Sequence, residues 1–201
     1  MLPAGELGAI AVKLPLPPSC LSTIWGADDA YVEKYLTSFP GYYETGDAGY
    51  CDEDGYLYIM ARTDDVINVA GHRLSTGQLE EVLADHPDIA ECAVIGVADQ
   101  LKGQLPLGLI CLYPNCNRLQ DDIMAEAIAL VKDRVGRVSS FNLIVVIERL
   151  PKTRSGKVLR GTMAKIADGE SWNMPATIDD PAILDEIKTA LQSIGYAGGK
   201  S

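Results

Sequence analysis

Apolar runs of strand length alternate with segments of helical periodicity from Asp64 onward, and this alternation constrains the fold more than any other feature. The runs at 89–97 and 105–113 are apolar at nearly every position, which is typical of strands buried on both faces. The pattern predicts an α+β domain with a mixed β-sheet and flanking helices. Its predicted strands cover 66–70, 89–97, 105–113 and 143–147, and its predicted helices cover 75–84, 119–135, 158–167 and 183–194.

The first 63 residues follow a different pattern, in which glycine and proline separate short strands. Pro15, Pro17 and Pro18 end the first strand, because proline cannot continue a strand ladder. Gly55 ends a four-residue turn between the last two strands. We expect this segment to be the β-rich end of a larger domain, because it is too small to look complete. Its predicted elements are strands over 6–14, 42–50 and 56–61 and a helix through Ser38 that is capped by Asp28 or Asp29.

The charge is acidic overall and basic in one place. The formal net charge is −11, whereas non-specific nucleic-acid binders need a basic face that displaces counterions, so no nucleic-acid partner is expected. Residues 148–165 carry six basic side chains against one acidic side chain. This basic strip indicates a binding site for a small anionic ligand such as a nucleotide. The alternative interpretation is a solvated basic loop that binds nothing.

The sequence also bears on the compartment. It contains no apolar run of about 18 residues and no secretory signal pattern at its N-terminus, so we expect a soluble protein with no membrane partner. The five cysteines form no CxxC pair and have no histidine at metal-ligand spacing. We therefore expect reduced thiols in the cytoplasm, or in the mitochondrial matrix of a eukaryote, and no metal site.

The segment Leu-Pro-Lys-Thr-Arg-Ser-Gly-Lys at 150–157 lies between a predicted strand and a predicted helix. A lysine on such a loop can be delivered to an anionic reaction centre. The segment is not a phosphate-binding P-loop, because Lys157 is followed by valine. Together with Thr45-Gly46-Asp47 and Gly71-His72-Arg73, it resembles the C-terminal part of an ATP-dependent acyl-CoA synthetase, in the acetyl- and propionyl-CoA synthetase branch of the adenylate-forming, AMP-binding enzymes.

This resemblance implies a domain organisation and a reaction. Residues 1–63 would end the large AMP-binding domain, and residues 64–201 would form the mobile C-terminal domain. A short-chain carboxylate (acetate or propionate) and ATP would give an acyl-adenylate, from which coenzyme A displaces AMP. Mg²⁺ is expected with ATP, with ligands outside this chain. The family's triphosphate loop, adenine pocket and acyl pocket lie upstream of the residues present, so we expect the chain alone to be inactive in carboxylate activation.

The resemblance also implies roles for single residues. Lys157 would be catalytic in adenylate formation, where its ammonium group bridges the acyl carboxylate and the α-phosphate. Asp47 would hold the ribose hydroxyls, Arg62 would contact ribose or phosphate, and Asp64 would be the hinge between the domains. The candidates for binding coenzyme A are Gly71, Arg73, Lys132 and Arg134.

The residues themselves leave alternatives open. Thr-Gly-Asp occurs in ordinary turns, and Arg62 with Asp64 can be a surface ion pair. Lys132 and Arg134 can complement a helix dipole, and His72 reads as a residue that holds a turn. For the whole chain, the alternatives are a non-catalytic docking module, the small subunit of a split synthetase, or a substrate whose Lys157 is modified by a lysine acyltransferase and a deacylase.

Overall fold

The computed structural model describes residues 2–198, and the chain divides into two compact units, Met1–Asp64 and Asp65–Ser201. Residues 1 and 199–201, at the outer ends of the two predicted domains, lie outside the described residues. That the first unit ends a larger AMP-binding domain stays a prediction. In residues 2–198 no helix combines the length and the apolar character needed to cross a membrane.

The first unit is a three-stranded antiparallel sheet with one helix. Its elements are β1 (Gly8–Lys13), α1 (Asp28–Tyr35), β2 (Tyr42–Cys51) and β3 (Leu57–Arg62), with β2 in the centre of the sheet. Helix α1 packs on β2 through Tyr35, whose ring stacks on Tyr43. The predicted cap of α1 and its extension to Ser38 are wrong: the N-cap is Ala27, without a side-chain capping bond. Asp28 and Asp29 already lie in the first helical turn, where carboxylates interact favourably with the helix dipole.

This first unit has a small core. Among residues 2–64 the buried hydrophobic side chains are Tyr31 and Ala48. Strand β3 lies at the edge of the sheet, and its side chains from Leu57 to Met60 are exposed. An edge strand of this apolar character is a surface on which other strands can pair.

The second unit has the predicted α+β architecture around a five-stranded mixed sheet. Its strands are β4 (Val66–Val69), β5 (His72–Ser75), β6 (Ile89–Asp99), β7 (Gly103–Leu112) and β8 (Leu143–Val146). The order is β5-β4-β7-β6, and β8 also pairs with β7. The β7–β8 pairing is parallel and the other pairings are antiparallel.

Helices cover both faces of this sheet, which explains why β6 and β7 are apolar over most of their length. The helices are α2 (Thr76–Ala84), α3 (Gln120–Arg134), α4 (Arg160–Ala167) and α5 (Ile183–Ser193). Val94 and Ile110 pack in one cluster with α2 and α3, whereas Ile95 and Leu109 pack in another with α4 and α5. Gly108 is required by this packing, because a Cβ atom there would lie 2.9 Å from the ring of Phe141.

Strand β5 is absent from the elements that the sequence predicts, where His72 is interpreted as a turn residue. The turn consists of Ala70 and Gly71, which have φ values of 48° and 88°. His72 and Arg73 belong to β5, where His72 pairs with Val69 of β4. Positive φ at both central residues is the requirement of the two-residue hairpin turn whose twist matches its strands.

Candidate active site

Asp47 and Arg62 face each other across β2 and β3 in the first unit. Arg62 Nη1 lies 3.2 Å from Asp47 Oδ1 and donates to the carbonyl oxygen of Thr45 at 3.3 Å. Its Nε atom lies 3.4 Å from Asp64 Oδ1. The guanidinium group covers Gly46, where a Cβ atom would lie 2.5 Å from Nη2. The structure therefore brings three predicted site residues, Asp47, Arg62 and Asp64, into one cluster.

Two threonines fix the backbone of this cluster. Thr45 Oγ1 donates to the carbonyl oxygen of Ile10 at 2.9 Å and accepts the N–H of Asp47 at 3.1 Å. Thr63 Oγ1 donates to the carbonyl oxygen of Gly46 at 3.2 Å. The side chains of Asp47 and Arg62 keep 34% and 47% of their surface exposed, so both charges remain accessible to a ligand.

Lys157 lies in an exposed loop that its own backbone closes. The N–H of Thr153 donates to the carbonyl oxygen of Lys157 at 2.8 Å, and the N–H of Lys157 donates to Thr153 Oγ1 at 3.1 Å. Gly156, with a φ of 84°, donates its N–H to the carbonyl oxygen of Thr153 at 2.8 Å. The N–H of Leu159 closes the base of the loop on the carbonyl oxygen of Pro151 at 2.9 Å.

A second segment, residues 177–179, is bonded to this loop. Arg154 donates its N–H to the carbonyl oxygen of Thr177 at 2.9 Å, and Asp179 donates its N–H to that of Lys152 at 3.0 Å. Between these bonds, Thr153 and Ile178 form an antiparallel bridge. Ile178 is buried in the core cluster that includes α4 and α5. The lysine loop is thus attached to the hydrophobic core of the second unit.

Two ion pairs hold the ends of the loop. Lys152 Nζ lies 2.6 Å from Glu91 Oε1 on β6. Arg160, the first residue of α4, binds Glu80 of α2 through Nε to Oε1 at 2.8 Å and Nη2 to Oε2 at 2.7 Å. Glu80 Oε1 also accepts the N–H of Val94 at 2.8 Å. The hydrogen bonds that Arg160 donates to Glu80 raise the pKa of Arg160 above its usual range. The sequence reasoning missed both pairs.

The four coenzyme A candidates lie on different elements of the second unit. Gly71 is exposed at the β4–β5 turn, with no atom within 4 Å of a Cβ built on it, and Arg73 is exposed on β5. The turn adjoins the β6–β7 turn, because Ala70 donates its N–H to the carbonyl oxygen of Lys102 at 2.8 Å. On α3, Lys132 is half-buried, and Arg134 forms an ion pair with Asp85 at the end of α2.

A separate polar cluster is structural. His86 is buried, its Nδ1 accepts the N–H of Asp88 at 3.2 Å, and its Nε2 lies 3.3 Å from Glu126 Oε2. Arg118 donates to Asp88 at 2.8 Å and to Glu126 at 3.0 Å. The hydrogen bond from Arg118 lowers the pKa of Glu126. These residues satisfy one another and thereby tie α3 to the loops before it. Within 2–198, no group of three or more His, Cys, Asp or Glu residues is arranged to hold a metal ion.

Residues 78–157 match the family model of the AMP-binding enzyme C-terminal domain. The chain therefore carries an AMP-binding enzyme C-terminal domain. This confirms the family that the sequence motifs indicated. The match includes Glu80 and ends at Lys157. Gly71 and Arg73 precede the matched part of this AMP-binding enzyme C-terminal domain, and α4 and α5 follow it.

Three relatives extend the similarity to nearly the whole chain. The chain is 56% identical to an uncharacterized protein of Pseudomonas aeruginosa, over 95% of the chain and 30% of that protein. It is 46% identical to the mouse mitochondrial acyl-CoA synthetase short-chain family member 3, over 95% of the chain and 28% of that protein. It is 44% identical to the propionate–CoA ligase of Escherichia coli, over 93% of the chain and 31% of that protein. The chain thus spans less than a third of each relative.

Solved structures show the same fold. The anthranilate CoA ligase AuaEII, solved in complex with anthranoyl-AMP, superimposes with a TM-score of 0.66 at 25% sequence identity. The superposition covers 83% of this chain and 31% of AuaEII. The predicted fold class, a small α+β domain with a mixed sheet preceded by a β-rich segment, is therefore confirmed.

Proposed function

We propose that the chain is the C-terminal part of an AMP-forming acyl-CoA ligase that converts acetate or propionate to its coenzyme A thioester through an acyl-adenylate. The observation that carries the proposal is Lys157, which lies on a closed, core-attached loop at the end of the family match. The short-chain substrate is supported by the names of the mouse and E. coli relatives. Because the chain spans less than a third of them, we expect the chain alone to be inactive in carboxylate activation.

In the first half-reaction, a carboxylate oxygen attacks the α-phosphorus of ATP, and the bond to pyrophosphate breaks. The ammonium group of Lys157 would bridge the carboxylate and the α-phosphate, where it stabilises the charge that shifts between them. This requires a lysine whose backbone is fixed but whose side chain is exposed, which is the arrangement of Lys157.

The cluster of Asp47, Arg62 and Asp64 in the first unit would bind the nucleotide. The carboxylate of Asp47 would accept hydrogen bonds from the ribose hydroxyls. Arg62, held beside it by Asp64 and the carbonyl oxygen of Thr45, would donate to ribose or phosphate. Mg²⁺ would accompany ATP through ligands outside this chain. Asp64 would also be the hinge, since it lies at the division between the two units.

In the second half-reaction, the thiolate of coenzyme A attacks the acyl carbonyl carbon, and AMP leaves. The exposed Gly71 would let the pantetheine arm lie against the backbone. Arg73, Lys132 and Arg134 would bind the phosphates by charge, and Arg134 would exchange its carboxylate partner Asp85 for a phosphate.

A chimera tests the proposal, with this chain replacing the corresponding part of the P. aeruginosa relative. We expect Lys157→Ala to lower carboxylate-dependent exchange of pyrophosphate into ATP by about a hundredfold or more, as for other groups that stabilise transition-state charge. Thioester formation from supplied acyl-adenylate should remain, because pyrophosphate departure is already complete. Lys165→Ala, an exposed lysine of α4, is the matched control and should leave both steps unchanged. An equal loss of both half-reactions in a folded Lys157→Ala chimera would contradict the role of Lys157.

The exposure of Lys157 also supports a second proposal, that a lysine acyltransferase and a deacylase act on it. Acylation would remove the charge that the first half-reaction needs. Incubation of the chain with an acyltransferase and acyl-CoA, followed by mass spectrometry, should place the acyl group on Lys157 ahead of Lys165. Equal modification of the two lysines would reject the idea of a selective site.

A further inference from the structure

We propose that Thr153 is the positioning residue for Lys157, and that its hydroxyl group holds the lysine loop in a preset conformation. The catalytic consequence of this role rests on the proposed function of Lys157. The preset conformation of the loop does not depend on the proposed function, because it can be measured in this chain without any reaction.

Both backbone polar groups of Lys157 are bonded to Thr153. The N–H of Lys157 donates to Thr153 Oγ1 at 3.1 Å, and the carbonyl oxygen of Lys157 accepts the N–H of Thr153 at 2.8 Å. The carbonyl oxygen of Thr153 accepts the N–H of Gly156 at 2.8 Å. All three polar groups of Thr153 therefore bind Gly156 or Lys157. The direction in which the Lys157 side chain leaves the backbone depends on these hydrogen bonds.

The hydroxyl group of Thr153 also has a second partner. Ser155 Oγ lies 3.0 Å from Thr153 Oγ1, so one of these two hydroxyls donates to the other. A hydroxyl oxygen has two lone pairs and one proton, which is enough for both contacts at once. The Thr153 hydroxyl thus joins Ser155 and Lys157, on either side of Gly156, and valine at position 153 would lose both contacts.

Thr153 is itself fixed to the hydrophobic core of the second unit. It forms an antiparallel bridge with Ile178, which is buried among the side chains of α4 and α5. The adjacent bond from Arg154 N–H to the carbonyl oxygen of Thr177 joins the same two segments. The restraint therefore runs from the core through Ile178 to Thr153, and from Thr153 to Lys157.

Threonine suits this task better than other residues with a hydroxyl group. Its branched Cβ restricts χ1, so the oxygen is held near the Lys157 N–H at a lower cost in side-chain entropy than a serine oxygen. Serine should preserve the bond in part, whereas valine has the same shape and no oxygen. The series threonine, serine, valine therefore separates the hydrogen bond from the packing of the side chain.

The experiment on the complete 201-residue chain measures amide hydrogen exchange by NMR in Thr153→Val, in Thr153→Ser and in a control, Thr189→Val. Thr189 is an exposed threonine of α5 whose hydroxyl donates to the carbonyl oxygen of Asp185 at 2.9 Å. We expect Thr153→Val to speed exchange of the Lys157 amide about fivefold, the typical net contribution of one hydrogen bond, while β7 amides are unchanged. Thr153→Ser should recover most of the protection, and Thr189→Val should not affect Lys157. Unchanged exchange at Lys157, or an equal increase at Lys157 and in β7, would overturn the proposal.

The chimera then tests the catalytic consequence. Thr153→Val should lower adenylate formation about fivefold and leave thioester formation from supplied acyl-adenylate unchanged, and Thr153→Ser should restore most of the rate. If Lys157→Ala abolishes adenylate formation but Thr153→Val affects neither half-reaction, the positioning role is refuted and the proposed function stands. If Lys157→Ala itself affects neither half-reaction, the proposed function fails, and with it the catalytic part of the role of Thr153.

Discussion

Replacing Glu80 with alanine should lower the free energy of unfolding of the second unit by about 3 kcal/mol. Glu80 accepts one hydrogen bond from the Val94 N–H and two from Arg160. Val94 is completely buried, and leaving its amide without an acceptor costs about 1–3 kcal/mol. Loss of the Arg160 pair adds about 1 kcal/mol, well below the 3–5 kcal/mol of a fully buried pair, because the side chains of Glu80 and Arg160 are 16% and 25% exposed.

Urea unfolding followed by tryptophan fluorescence measures this change. Trp172 packs against the core cluster of the second unit, whereas Trp25 is 99% exposed, so the signal reports mainly on the second unit. Glu81→Ala is the matched control, because Glu81 is the next residue of α2 and is exposed. This control should change the free energy by less than about 0.5 kcal/mol.

Two further variants separate the bonds made by Glu80. Glu80→Gln keeps an oxygen acceptor for the Val94 N–H and should lose about half as much stability as Glu80→Ala. A double-mutant cycle with Arg160→Met isolates the ion pair. The reasoning is refuted if Glu80→Ala unfolds at the same urea concentration as Glu81→Ala. A coupling energy near zero in the cycle would refute the contribution of Arg160 alone.

Two other predictions concern pH and the hinge. The hydrogen bond from Arg118 lowers the pKa of Glu126 below the ordinary 4.5, so the stabilisation by its carboxylate is present above pH 4.5 and is lost as the pH falls through the lowered value. The difference in urea midpoint between the unmodified chain and Glu126→Gln should therefore be constant near neutral pH and shrink below pH 4.5, and a difference that persists at about pH 2 would contradict it. In the chimera, Asp64→Pro should impair one half-reaction far more than the other, because proline fixes φ near −65° and removes the N–H at the proposed pivot. Unchanged overall turnover would reject Asp64 as the hinge.

The elements predicted best from the sequence are those whose central side chains are all buried. Strands β6 and β7 can be predicted because the residues at their centres are buried on both faces, and their ends differ from the prediction by at most two residues. Strand β5 was missed because it has only four residues and its first two side chains, His72 and Arg73, are exposed. Its turn also contains Ala70 with positive φ, a conformation that the sequence Val-Ala-Gly-His does not indicate.

The same distinction applies to the candidate site. The lysine loop and the Thr-Gly-Asp segment could be predicted because their residues are contiguous in the chain. The groups that fix them could not, since Lys152 binds Glu91 at a separation of 61 residues and Arg160 binds Glu80 at 80 residues. Neither glutamate differs in local pattern from a solvated helix or strand residue. Only the fold brings such partners together.

The proposed site residues form two sets, Asp47 with Arg62 in the first unit and Lys157 in the second unit, and hydrogen bonds fix each set. Asp47 and Arg62 are held by bonds to Thr45 and Asp64, and Thr45 is held in turn by Ile10, all in the first unit. Lys157 is held by Thr153, which Ile178 fixes to the core of the second unit. Each of these bonds joins residues of the same unit, so the two sets of residues are fixed independently of each other. Groups whose mutual geometry is fixed in this way need no rearrangement when they reach a reaction centre, and the proposed two-step reaction with a hinge at Asp64 would require that.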